Sequence, residues 1–344
     1  MGPLAHELNR DRLSRVKIAA MGAVLVLGIL LSFAWGRYPI APGEAAGILL
    51  SRLFPITPFW GERVETILMG IRLPRILLAC MVGCCLSAAG AAYQGIFQNP
   101  MASPDILGAT AGASFGAALA ILLGAPGQLV TFSAFLFSML TVGLVWLISR
   151  RARGKRLLGL ILSGIMVSSL LSAGTSFIKL VADPANELPA ITYWLMGSLA
   201  GAKLSDVGFA ALPMAIGLIP LLLLRWRINV LTLGDEEART MGIPVGLLRL
   251  VVILCATLVT ASAVSVSGTI GWVGLVIPHL ARMLLGNNYR FLMPASMLLG
   301  ALFLLLVDNL SRNLLGTEIP IGILTAFIGA PFFLSLIMRG EARG

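Results

Sequence analysis

Long stretches without a charged residue are the feature that most restricts how this chain can fold. Four of them contain no Asp, Glu, Lys or Arg, and they lie at 18–36, 157–178, 207–224 and 319–338. About 20 apolar residues in a helix cross a hydrocarbon layer of about 30 Å. The whole chain is 58% hydrophobic and only 12% charged, which is too little charge for the surface of a soluble domain. We therefore expect an integral membrane protein.

Two further uncharged runs are longer than one crossing requires. Residues 106–149 contain Gly, Pro and Gly at 124–128, a turn signal that predicts two helices joined by a tight loop. Residues 250–281 divide in the same way near 265–268, and the short second part contains Pro278, which predicts a kinked or partial crossing. The sequence thus predicts an all-α polytopic membrane protein, with about ten transmembrane helices in a single domain over residues 1–344.

The distribution of charge predicts the orientation of these helices. With both termini cytoplasmic, most of the 25 lysines and arginines fall in cytoplasmic segments and the acids divide about equally, so the net charge of +10 lies inside. Residues 1–17 are then a basic cytoplasmic tail before an uncleaved first helix, and residues 37–73 are a periplasmic segment that includes short interfacial helices. No basic face with interleaved aromatic residues is present, which argues against nucleic-acid binding.

An acidic segment at 234–244 is the most informative of the predicted cytoplasmic connections. Asp235, Glu236 and Glu237 begin it, and Gly242 and Pro244 end it, a pattern typical of a small helix with an acidic first turn. Such a helix fits into a soluble partner, or it is a solvated connection. The chain has no phosphate-binding loop ending in Gly-Lys-Ser/Thr. It therefore depends on a partner, an ion gradient or no energy source.

Residues that could bind a metal are few. Cys80 and Cys84 share a helix face, where they are either a soft metal site or small packing residues, and packing is the simpler interpretation. His279 is either a haem or metal ligand or a helix-end histidine near Arg282. We predict no metal site in this chain.

Four longer motifs carry a resemblance to a known family. They are IRLPR at 71–75, QGIFQNPMASPDILGATAGA at 94–113, GTIGWVGLVIPHLAR at 268–282 and PIGILTAFIGAPFF at 320–333. Together with the acidic segment, they resemble the FecCD-type permeases, the membrane subunits of type II ABC importers for iron–siderophore, haem and cobalamin. The resemblance implies a multi-pass homodimer in the bacterial inner membrane, with a pore between its subunits. Two ABC ATPase subunits, which hold ATP and Mg, and one periplasmic substrate-binding protein would dock on it. The chain itself would bind no cofactor and catalyse no reaction.

The resemblance also implies roles for particular residues at the periplasmic mouth. Arg72, Arg75 and Arg312 match the family's arginines that meet acidic residues on the binding protein. The charge distribution independently places them outside, at helix ends, where we expect hydrated guanidinium groups. The alternative is an interfacial anchor, or for Arg312 a local pair with Asp308 one turn earlier.

At the cytoplasmic side the resemblance implies an ATPase-coupling site and a gate. The coupling residues are Asp235, Glu236, Glu237, Ala238 and Gly242. The gate residues are Asn99, Pro100 and Met101, which alternatively are only a helix end. A second family gate uses small hydroxyl residues before the fifth helix, where this sequence instead has Leu157 and Leu158.

The substrate expectation rests on the breadth of the family. It favours a ferric siderophore first, haem next and cobalamin third. An ion-coupled secondary transporter would need ionisable groups inside the membrane, and almost the only candidate between the first and last helices is Asp308. A signalling or structural membrane protein would bind no ATPase.

Overall fold

The computed structural model describes residues 3–151 and 156–341, and this part of the chain is helical without a strand. Arg153, Lys155 and Arg343, three of the predicted cytoplasmic charges, lie outside the described residues. The α-helices are α1 (Pro3–Ala34), α2 (Pro42–Ser51), α3 (Glu62–Ile67), α4 (Leu73–Ile96), α5 (Ala109–Leu122), α6 (Gly127–Arg151), α7 (Arg156–Val181), α8 (Glu187–Leu195), α9 (Leu204–Leu223), α10 (Arg225–Leu231), α11 (Asp235–Thr240), α12 (Val245–Ser267), α13 (Val273–Leu285), α14 (Tyr289–Asn313) and α15 (Ile321–Glu341).

Seven of the helical segments are long and apolar enough to cross a membrane. They lie in α1, α3–α4, α6, α7, α9, α12 and α14, and shorter apolar helices occur in α5, α13 and α15. The all-α polytopic class is confirmed. The number of crossings and the side of the termini stay predictions.

Both predicted turns inside the long apolar runs are confirmed. The helix α5 ends at Leu122 and α6 begins at Gly127, so the Gly- and Pro-containing segment breaks the first run. The helix α12 ends at Ser267, where Gly268 has a φ of +67° that favours glycine, and α13 follows with Pro278 inside it. Turn residues therefore decide the helix boundaries in both runs.

Helices continue across two of the predicted segment boundaries. The helix α1 begins at Pro3 in the basic segment 1–17 and continues into the first span, and the cytoplasmic position of that segment stays a prediction. Segment 37–73 contains the expected short helix α2, but the spanning helix begins inside it at Glu62, since a π-helical turn over Leu68–Arg72 joins α3 to α4. Hydrogen bonds across that turn keep the helix continuous through residues that the charge pattern assigns to the aqueous side.

The helix α4 lies at the centre of the bundle and packs against α12, α13 and α14. Glycines permit the close approach. A Cβ added at Gly83 would lie 2.1 Å from the carbonyl oxygen of Gly300, and one at Gly90 would lie 1.8 Å from that of Gly274. In a membrane, where apolar surface gains little from association, such backbone contact is a main source of helix–helix attraction.

The antiparallel pairing of α4 and α14 defines two ends of the bundle. At one end Arg75 contacts Asp308, and at the other the Tyr289 hydroxyl donates to the Ala91 carbonyl, 3.1 Å away. We call the first the arginine end. We call the second the α11 end, because the Gln98 amide just beyond α4 donates to the Leu231 carbonyl at the end of α10, 2.8 Å away, and α11 follows α10.

Candidate functional sites

A buried ion-pair network occupies the arginine end. Arg75 is 3% exposed, and its Nε donates to Oδ1 of the fully buried Asp308 at 2.8 Å. Its Nη1 reaches both carboxylate oxygens of Glu318, at 3.0 and 2.8 Å. Charged hydrogen bonds in a site this dry are far stronger than on a hydrated surface. Arg75 therefore ties α14 and the α14–α15 connection to α4.

Asp308 also faces the second guanidinium of this network. Arg312 Nε lies 3.2 Å from Asp308 Oδ2, one helical turn away. The Arg312 guanidinium also donates to the side chain of Asn309, whose amide donates to the hydroxyl of Ser32 in α1 at 2.7 Å. The local pair with Asp308, one of the two interpretations of Arg312, is thus present.

Arg72 is held by backbone rather than by an acid. Its guanidinium donates to the carbonyls of Phe33 and Tyr38, just where α1 ends, and the residue is 3% exposed. A terminal helix carbonyl lacks an intrahelical donor, and Arg72 supplies one. This contact fixes the end of α1 against the start of α4.

The expectation of hydrated guanidinium groups is wrong for all three arginines. Arg72, Arg75 and Arg312 are buried. Carbonyls or carboxylates distant in sequence surround Arg72 and Arg75, whereas Arg312 contacts Asp308 and Asn309 of its own helix. Their docking role stays a prediction. Exposed arginines at the same end include Arg37, Arg52 and Arg63, and Arg52 pairs with Glu65 at 2.7 Å.

The predicted acidic helix is confirmed as α11, and it is firmly attached to the bundle. The Asp235 carboxylate accepts two hydrogen bonds from the Arg249 guanidinium in α12, at 2.8 and 3.1 Å. Ala238 is fully buried. The Ile243 amide donates to the Ala238 carbonyl, and Gly242, with φ of +77°, donates to the carbonyl of Arg239. This paired motif, with glycine in the left-handed region, ends α11 and turns the chain into α12.

The remaining acids of α11 face outward. Glu236 and Glu237 are exposed on the short helix, beyond its anchoring contacts. A rigid helix that presents two free carboxylates suits a complementary basic surface on a partner, because neither its position nor its shape has to form on binding. The coupling role itself stays a prediction.

The predicted gate residues form a capped turn at the α11 end. Asn99 Oδ1 accepts a hydrogen bond from the Met101 amide at 2.8 Å, and α4 has already ended at Ile96. Asn99, Pro100 and Met101 are all exposed. These residues therefore lie in the turn that follows the end of α4. A gate function remains compatible with their exposure and stays a prediction.

Asp105, which follows the proposed gate turn, is a candidate functional residue that the sequence patterns do not single out. It lies in the short 3₁₀ turn Pro104–Leu107, is exposed, and accepts a hydrogen bond from the Thr110 hydroxyl. It shares a small pocket with Leu86, near the middle of α4, so the chain after the gate turn re-enters the bundle. Its only sequence signal is an acid three residues before the run of small residues at 108–114, which is also typical of an ordinary helix start.

The described residues contain no group of three or more His, Cys, Asp or Glu side chains placed to hold a metal ion. Cys80 and Cys84 are free thiols in α4, together with Cys85, and Cys255 lies in α12. Cys85 lies in the hydrophobic core, and Cys80, Cys84 and Cys255 pack against it; the absence of a metal site stays a prediction.

Comparison with known proteins agrees with this architecture. The sequence model of the FecCD transport family matches residues 24–339. The molybdate import system permease protein of Haemophilus influenzae is 41% identical over 93% of this chain and 95% of its own length. An iron chelatin transport system permease protein of Helicobacter pylori is 43% identical over 80% of this chain and 83% of its own. A metal-chelate type ABC transporter solved in an inward-facing conformation superposes with a TM-score of 0.85 and 39% identity, covering 94% and 99% of the two chains.

The helical bundle with several membrane-crossing helices defines a multi-pass membrane protein of the ABC permease class. The chain belongs to the FecCD transport family. As a member of this family, it is an ABC transporter permease.

Proposed function

We propose that this chain is the membrane-spanning subunit of an ATP-driven importer in the bacterial inner membrane. A periplasmic binding protein delivers a metal compound at the arginine end, and two ATPase subunits act at the α11 end. The observation that carries the proposal is the anchored helix α11, whose Glu236 and Glu237 project from the bundle at the end opposite the arginines. A secondary transporter is driven by an ion gradient and has no ATPase partner for such a helix to contact.

The double substitution Glu236→Arg with Glu237→Arg tests the coupling role. It inverts the exposed charge of α11 and leaves Asp235, Ala238 and Gly242 in place, so the helix stays attached. We expect normal membrane insertion, loss of ATPase co-purification and loss of transport, measured on the complex in proteoliposomes. The matched control is Glu44→Arg in α2, an acid outside α11. Normal transport by the double variant would contradict the coupling role.

The homodimer with a central pore draws support from one face of α7. Along this face exposed apolar side chains such as Met166 and Leu170 alternate with exposed hydroxyls at Ser169, Ser172 and Ser176. A purely lipid-facing helix has little use for such hydroxyls, whereas a pore or a helix–helix contact accommodates them. Spontaneous disulfide formation between two copies of a Leu170→Cys variant would place α7 next to its symmetry mate. A strictly monomeric product would count against the dimer.

The substrate is proposed by analogy. An iron chelate, with a ferric siderophore first, remains our first candidate, and it agrees with the name of the Helicobacter relative, an iron chelatin transport system permease protein. Haem and cobalamin follow within the family. Molybdate is a second candidate of different chemistry, favoured by the relative that is 41% identical over 93% of this chain. Titration of the partner binding protein with both classes separates them.

A further inference from the structure

A pocket at the α11 end borders the proposed coupling site, since Asp235 and Arg239 of α11 line it, and it lies apart from the gate turn at 99–101. Its volume is about 390 Å³, and its walls come from α6, α7, α11 and the first three turns of α12. It lies where α6 ends and α12 begins, so it sits at the level where two membrane-crossing helices leave the hydrocarbon. A ligand bound in this pocket would lie at the membrane surface and would also contact the coupling helix α11.

Three arginines and a single acid line this pocket. Arg249 is neutralised by its two hydrogen bonds to Asp235, but its Nε is buried without a hydrogen-bond partner. Arg150 and Arg239 have no ion pair or side-chain hydrogen bond within residues 3–151 and 156–341. With three arginines and one aspartate, the residues that line the pocket carry a net charge of +2, which attracts an anion.

The start of α12 and the ring of Trp146 also belong to the pocket wall. Val245, Gly246 and Leu247, the first residues of α12, line the pocket, and no side chain caps the backbone amides at the start of this helix of 23 residues. Uncapped amides at the start of a helix bind phosphate oxygens well. The Arg150 guanidinium lies over the Trp146 ring, 4.8 Å from its centroid, which limits its freedom. Phosphate groups bind well to the paired N–H donors of arginine guanidinium groups and to free amides at helix starts.

The surroundings of the pocket are apolar and continue into the predicted membrane. Leu250 and Ile253 form its inner wall. Leu247, which itself lines the pocket, is 60% exposed, and Leu147 on α6 and Leu254 on α12, each next in sequence to a lining residue, are exposed to 50% and 48%. A soluble anion would make no favourable contact with these apolar side chains, whereas the acyl chains of a phospholipid would pack along them.

We propose that this pocket binds the phosphate of an anionic phospholipid, with the headgroup between Arg150 and Arg239 and the acyl chains along α6 and α12. The site needs only the membrane and does not depend on which substrate the importer carries. Because the headgroup would contact α11, the lipid would also hold the coupling helix in position.

Lipid binding to the purified full-length chain tests this assignment. Native mass spectrometry would count the lipid retained per protomer during titration with phosphatidylglycerol and, separately, phosphatidylcholine. We expect clear preference for phosphatidylglycerol and weaker binding as salt rises. Arg150→Gln and Arg239→Gln should each weaken binding about fivefold, since one basic residue near an anionic lipid contributes about that factor. Arg227→Gln, an exposed arginine of α10 outside the pocket, is the matched control and should change binding less than twofold.

Three results would overturn the proposal. Equal binding of the two lipids by the unaltered chain would do so without any variant. Equal losses in Arg227→Gln and the two pocket variants would show a general charge effect. Displacement of a bound anion by inorganic phosphate, with no retained phosphatidylglycerol, would assign the pocket to a soluble anion instead.

Discussion

Loss of the Asp308 carboxylate should destabilise the bundle far more than loss of a surface ion pair. Asp308 is fully buried and lies 2.8 Å from Arg75 Nε and 3.2 Å from Arg312 Nε. Removing one partner of a buried ion pair costs about 3–5 kcal/mol, mainly because a charge is left without compensation. Arg75 keeps Glu318 as a second carboxylate, whereas Arg312 loses the one carboxylate that it pairs with among the described residues. We therefore expect Asp308→Asn to lower the free energy of unfolding by about 3 kcal/mol, near the lower limit of that range.

The assay is equilibrium unfolding of the purified chain in mixed detergent micelles, with Arg52→Gln as the matched control. Arg52 pairs with Glu65 at the same end, but the two side chains are 55% and 35% exposed. Breaking such a pair costs at most about 1 kcal/mol. The added substitution Arg312→Gln should recover part of the loss in Asp308→Asn, since it removes the uncompensated charge. A loss in Asp308→Asn no larger than in the control would refute the buried network.

Two further predictions concern packing and the coupling helix. Gly90→Ala should lower stability by about 1–3 kcal/mol because its Cβ meets backbone, whereas Gly143→Ala, with nothing within 4 Å, should be neutral or slightly stabilising in the same unfolding assay. Equal effects would contradict the close α4–α13 contact. Arg249→Gln should release Asp235 and weaken the attachment of α11 by at least about 1.5 kcal/mol. Hydrogen exchange of the α11 amides should then rise about tenfold or more; unchanged exchange would refute the anchor.

Helix boundaries that depend on local chemistry were predictable from the sequence. The break near Pro126, the end of α12 at Gly268 and the glycine stop of α11 at Gly242 each require only a turn or a left-handed backbone at one position. The start of the span at Glu62 was not predictable, because the π-helical turn that prolongs it has no sequence signal in a single chain.

The surroundings of the functional candidates could not be read from spacing. Arg75 is buried by Asp308 and Glu318, which lie 233 and 243 positions away in the sequence. The periodicity of α4 places Arg75 at a helix end but carries no information on what packs there. The sequence does not identify Asp105 as a functional candidate for a similar reason. Only the re-entry of the chain beside α4 brings Asp105 to the level of Leu86. Long-range packing, not helix propensity, decides which charged groups are exposed.

The central claim, that this chain is the permease of a binding-protein-dependent importer of an iron chelate, is tested most directly by its periplasmic partner. The permease would be used to capture its binding protein, which is then titrated with ferric siderophores, haem, cobalamin and molybdate while protein fluorescence and the visible spectrum are followed. The account predicts capture of one binding protein that binds a ferric siderophore tightly and the other compounds weakly. Tight binding of molybdate alone would contradict the substrate, and failure to capture any binding protein would contradict the importer itself.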